Sequence, residues 1–118
     1  MVMVFDQGSI ATIDLEPEQE MPPFASPVGS PNIGMKLIAG DGMSPGTCAV
    51  WGTDRGGVRY DGLPGRESGF VVSGRARITA DGAEPIEIGP GEGFVLPAGW
   101  SGTFEALEPL RKVFYLLA

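Results

Sequence analysis

The chain has 118 residues, enough for one domain with a modest core. Its net charge of −7 gathers at the start: Asp6, Asp14, Glu16, Glu18 and Glu20 lie in a stretch without Lys or Arg, and beyond residue 20 eight basic groups nearly balance ten acidic ones. No basic stripe exists to neutralise phosphates, which argues against a nucleic-acid partner, and no apolar run approaches the roughly 18 residues of a membrane span.

In chain order, residues 2–5 and 10–15 read as short extended segments. The start MVMVFDQGS has no basic region followed by a long apolar core, so a cytoplasmic protein without a leader is expected. Residues 16–34 are acidic and then proline-rich. Pro22, Pro23, Pro27 and Pro31 forbid a regular helix or a central strand there. This stretch is expected to be an irregular arm that crosses the domain surface or reaches a partner subunit, its acids forming a solvated face.

From residue 35 the chain becomes short apolar runs separated by turn residues. MKLIAG leads through GDGMSPG into TCAVWGT, where the single Cys48 excludes an intramolecular disulfide and reads as a small buried hydrophobe. DRGG turns the chain before VRY, and DGLPGR makes a broader loop. ESGFVVS is apolar on both faces, as an inner strand would be. It is expected to fold back on RARITA across Gly74, a hairpin-like reversal. RARITA alternates, with Ala76, Ile78 and Ala80 opposite Arg75, Arg77 and Thr79. Asp81-Gly82, a tight-turn dipeptide, leads into EPIEI, where Ile86 and Ile88 point together. GPGEG then opens FVLPAG, followed by WSGTFEA and LRKVFYLLA. About eight to ten short strands and no helical period imply an all-β sandwich or barrel. One domain is expected, with residues 1–34 as its arm and 35–118 as its barrel.

The stretch Gly91–Gly102, GEGFVLPAGWSG, carries a resemblance. Gly91, five residues, Pro97, one residue, Gly99, two residues: this is the second half of the cupin pattern, with Gly102 where the family has a histidine. Glu67 and Gly74 repeat the Glu–six residues–Gly spacing of the first half, and the loop before Glu67 has no histidine. Residues 45–118 resemble the cupin superfamily, and Trp51, Lys112 and the tail from Gly102 are similar to its DUF861-like branch, associated with ureidoglycine aminohydrolase and ethanolamine-utilisation proteins. The resemblance implies a double-stranded β-helix, the jelly-roll cupin barrel. Of the usual ligands (three histidines and one glutamate) only Glu67 has a counterpart. Apart from any family, Gly91 and Gly99 sit at turns that favour positive φ, and Pro97 fixes the chain as it leaves the sheet.

Without a single histidine in the chain, imidazole triads and an imidazole base are excluded. A carboxylate-only metal site would draw on Glu67, Asp61, Asp54 and Glu92, of which only Glu67 has register support for pointing inward; no metal or other cofactor is expected. Glu67 is the candidate for ligand binding or proton transfer, its raised pKa in an apolar barrel suiting the latter. Alternatively it is an internal ion pair with Arg59, Arg77 or Lys112. If Gly102 faces inward, the period of two turns Trp100 and Phe104 inward with it, as pocket walls or as core. Tyr60 and Trp51 join them as candidate lining residues. Lys112 and Arg111 face opposite ways, and Lys112 is a candidate cation for a ligand.

Three roles remain open on these grounds: a metal-free barrel binding a small polar molecule, a hydrolase or isomerase of the kind the resemblance implies, and a non-catalytic accessory protein. A homodimer is expected, with the arm laid across a neighbour.

Overall fold

The computed structural model describes residues 2, 4–18 and 20–118. Two antiparallel sheets face each other. One has six strands in the order β1 (Glu16–Pro17), β3 (Ile33–Ala39), β4 (Cys48–Thr53), β11 (Leu110–Leu117), β6 (Arg66–Ser73), β9 (Gly93–Leu96). The other has five, in the order β2 (Ala25–Val28), β5 (Gly57–Tyr60), β10 (Gly102–Ala106), β7 (Ala76–Ala80), β8 (Ile86–Ile88). Apart from the β3–β4 and β7–β8 neighbours, successive strands alternate between the sheets, which makes the jelly roll.

Side-chain alternation sorts the apolar residues into two cores. Between the sheets lie Ala49, Trp51, Val58, Tyr60, Leu63, Val71, Phe94, Phe104 and Phe114. On the outer face of the larger sheet Ile10, Cys48, Val50, Val72 and Val113 form a second cluster. Strand β4 is buried along its whole length because it feeds both: Ala49 and Trp51 point inward, Cys48 and Val50 outward. Alternation along β6 sends consecutive Val71 and Val72 into different cores, and the pairing with β11 skips Val72, a bulge on β6.

The outer core needs a cover, and this corrects the extended reading of residues 10–15. Residues Gln7–Thr12 form a short helix, α1, which Asp6 caps by accepting from the Ser9 backbone N–H at 2.8 Å. The Ser9 hydroxyl returns a bond to the Asp6 backbone N–H, completing a capping box. Ile10 is driven under the helix to 2 % exposure, a burial worth about 1.5–3 kcal/mol. Arg111, facing outward from β11, donates to the carbonyls of Ile10 and Ile13 at 3.1 and 2.6 Å, satisfying the end of the helix. Val2, Val4 and Phe5 carry no regular structure, and Met3 lies outside the described residues.

The hairpin read across Gly74 is also corrected. Strand β6 pairs with β11 and β9, whereas β7 pairs with β10 and β8, in the other sheet. Gly74 and Arg75 connect the two strands without closing a hairpin. Gly74, at φ +82°, instead bends the chain from one sheet to the other, so close to the Pro109 carbonyl oxygen that a Cβ would collide with it. The Asp81-Gly82 turn does join β7 to β8 as a hairpin, although Ile86, on the strand at the sheet edge, is exposed.

The arm lies along its own barrel. Glu16 and Pro17 pair with β3, and Ala25–Val28 pair with β5. Pro27 is tolerated because β2 is an edge strand. Between these two anchors Glu18, Met21, Pro22 and Phe24 lie beside the space between the sheets. The arm therefore gives no support to a dimer built by its exchange. No described helix is long and apolar enough to cross a membrane.

Candidate functional site: a buried acid, ammonium and phenol

Glu67, second residue of β6, points between the sheets and is 2 % exposed. Both its oxygens are engaged: Oε1 accepts from the Tyr60 hydroxyl at 3.0 Å, and Oε2 from the Lys112 ammonium at 3.0 Å. Strand register explains the meeting. Lys112, Phe114 and Leu116 share the inner face of β11; Leu116 stands opposite Glu67, and Lys112 reaches back along the strand toward it.

The Lys112 ammonium, 1 % exposed, sits among aromatic faces. Its Nζ lies 4.0 Å from the Phe104 ring centroid, 4.7 Å from Trp51, 5.3 Å from Phe94 and 5.6 Å from Phe114. Ring quadrupoles and one carboxylate replace the water that a buried cation loses. Burial, followed by the neighbouring Glu67 charge, pushes the Tyr60 phenol well above its ordinary pKa. Tyr60 thus remains a hydroxyl that donates its proton to Glu67.

A cavity of about 60 Å³ lies beside this trio. Glu67, Tyr60 and Trp51 line it from the barrel; Glu18, Met21 and Phe24 close it from the arm. It is far smaller than the roughly 300–1,000 Å³ of ordinary ligand pockets and has room for about two waters at ~30 Å³ each. Larger depressions elsewhere, the most open of them surface grooves, are not lined by Glu67.

Glu18 is the residue that sequence reasoning missed, having been read as part of a solvated acidic face. It is half-buried, and that burial raises its carboxyl pKa; a hydrogen bond from the Trp51 side chain and the Lys112 charge partly oppose the rise. The apolar Met21, Pro22 and Phe24 just after it are the signal that this part of the arm turns inward.

The other candidates separate. Phe104 is fully buried core beneath the ammonium, and Trp100 packs edge-on against Tyr60 with centroids 6.2 Å apart, outside the cavity wall. Arg59 turns outward to Asp61 and Asp81, at 3.0 and 2.7 Å, and Arg77 to Glu87. Lys112 is therefore the internal partner of Glu67. Cys48 is buried in the outer core, where burial pushes its thiol pKa up.

The residues do not fit a metal ion. Asp61 is held by Arg59, Asp54 by Asn32, and Glu92 by the Gly89 backbone N–H. Among the described residues no group of three His, Cys, Asp or Glu side chains converges. The position of the expected histidine is closed: a Cβ on Gly102 would stand 2.7 Å from Trp100 ring carbons and collide with the Thr79 carbonyl oxygen.

Two facing antiparallel sheets with this alternating strand order, and an acid set between them, define a cupin. The family model for the EutQ-like cupin domain matches residues 42–114, and the chain belongs to that family. No curated protein matches the chain. Among solved structures, the EutQ protein of Clostridium difficile aligns at 20 % identity and a TM-score of 0.64, over 75 % of this chain and 69 % of its own. A cupin-like protein of Thermotoga maritima aligns at 16 % identity and a TM-score of 0.68, over 90 % and 81 %. A DUF861-family protein of unknown function from Pseudomonas syringae reaches 17 % and 0.68, over 88 % of this chain and 44 % of its own. At such identities the likeness is one of fold.

Proposed function

We propose that this EutQ-like cupin binds a small polar molecule between its sheets without a transition metal. The observation that carries the reading is Glu67: a carboxylate at 2 % exposure, compensated by Lys112 and Tyr60, that nevertheless forms part of the wall of an enclosed cavity. A purely structural pair would be packed over on all sides. Trp51 and Tyr60 supply flat walls, and Lys112 fixes the charge and orientation of Glu67 in the role a bound cation would otherwise have.

Proton transfer is less well supported by this arrangement. Both Glu67 oxygens are held as acceptors, and Tyr60 is kept protonated, so neither stands ready to take a proton from a substrate.

The reading is tested by melting the purified protein against small polar compounds, since a ligand that prefers the folded state raises the melting temperature. The expected result is stabilisation by at least one compound, lost in Glu67→Gln, with elemental analysis showing no stoichiometric transition metal. Unchanged melting and binding in Glu67→Gln would remove its central residue, and a stoichiometric metal lost with Glu67 would overturn its metal-free part.

A further inference from the structure

The walls of the cavity state what kind of molecule they suit. They present the carboxylates of Glu18 and Glu67, the hydroxyl oxygen of Tyr60 and the rings of Phe24, Trp51 and Phe114. Of the donors nearby, the Tyr60 hydroxyl is committed to Glu67, and the Trp51 side chain lies close enough to Glu18 to lower its pKa. Lys112 is not among the lining residues; its ammonium lies behind Glu67, over Phe104 and Trp51. The enclosure thus offers acceptor lone pairs and negative ring faces to its interior. With Glu18 ionised, two carboxylates face one ammonium, leaving one negative charge uncompensated.

We infer that the cavity selects a small organic cation, a protonated primary amine, and that the arm closes over it with Glu18 as its second carboxylate. An ammonium there completes the charge balance, donates to Glu18 and Glu67 together, and rests against rings as Lys112 does on the other side. A carboxylate ligand would meet two like charges. The volume of about 60 Å³ admits an amine of methylammonium size under the closed arm. Longer amines enter by displacing residues 20–24, which carry no strand between the anchors at β1 and β2. This inference rests on the proposal that the barrel interior is a binding site, and deepens it by naming the ligand class.

The test uses the full chain and three probes of similar size, at ionic strength matched with sodium chloride: methylammonium chloride, acetamide and sodium acetate. Melting curves and the indole N–H resonance of Trp51 are followed through each titration. The expected result is a dose-dependent rise in melting temperature and a saturable Trp51 shift with methylammonium alone, strengthening as pH rises through the titration of Glu18. Glu18→Gln, which leaves the barrel pair intact, is expected to weaken methylammonium at least about tenfold, and Glu18→Asp to recover part of the loss. Saturable binding of acetate or acetamide instead would overturn the cation while leaving barrel binding in place. Methylammonium binding unchanged in Glu18→Gln would overturn the role of the arm. If no probe moves either signal, the inference falls, and it falls together with the binding reading if the wider compound panel is silent too.

Discussion

Two ion-pair systems in this molecule have nearly the same geometry and opposite physical character. Lys112 meets Glu67 at 3.0 Å with side chains 1 % and 3 % exposed, while Arg59 meets Asp61 and Asp81 at 3.0 and 2.7 Å with side chains 34 %, 63 % and 54 % exposed. Distance does not separate them; solvent does. Water and salt screen the surface set, so its members lose little when parted. The internal pair has no such cushion, and removing one partner leaves the other buried and unpaired.

The largest expected effect tests that dependence. Lys112→Met leaves Glu67 buried without its cation and should cost about 3–5 kcal/mol in chemical denaturation. Replacing both, Glu67→Leu with Lys112→Met, should cost much less than Lys112→Met alone. A double variant as unstable as the single one would mean that packing, and not the stranded charge, dominates. Next comes Tyr60→Phe, which removes a hydrogen bond to a charged acceptor and should cost about 1.5–3 kcal/mol, with the ring packing against Phe24 and Trp100 retained.

Glu18 lies between the two extremes, half-buried and on the arm. Its folded pKa is raised above the ordinary 4.5, mainly by burial. The folded state therefore holds a proton that the unfolded state releases, and stability falls as pH climbs from 4.5 through the raised value. Glu18→Gln should melt at or above the parent temperature at neutral pH and should remove that part of the pH dependence; the parent should draw level only under acid conditions. The smallest effect is expected for Arg59→Ala, whose change in melting temperature should be slight at low salt and vanish at high salt. A large, salt-insensitive loss there would erase the contrast with the internal pair.

The barrel was legible because its turns obey local rules. Gly91 and Gly99 do adopt φ of +82° and +83°, and the apolar runs from MKLIAG onward became strands. What failed had physical reasons. A six-residue helix is too short to display a period, and its evidence was the Asp6–Ser9 capping pair rather than a stripe. The pairing across Gly74 was a long-range matter, decided by which sheet each strand could bury itself in. Within the site, the spacing of Glu67 and Gly74 marked the acid, and Tyr60, Trp51 and Lys112 were named. Which of three cations would pair with it was not legible, because the pairing depends on long-range strand order: β11 lies beside β6, whereas Arg59 and Arg77 sit on strands of the other sheet and turn outward. Glu18 was hidden by its company: four other acids in the first twenty residues made it look like one more solvated charge.

Gly102 carries a consequence for redesign of this barrel. The indole of Trp100 and the Thr79 carbonyl oxygen fill the space that a side chain at residue 102 would need. A histidine placed there would have nowhere to stand unless the indole swung aside and the neighbouring strand shifted with it, so one substitution alone is too small a step and the glycine, the ring and the backbone must change in concert.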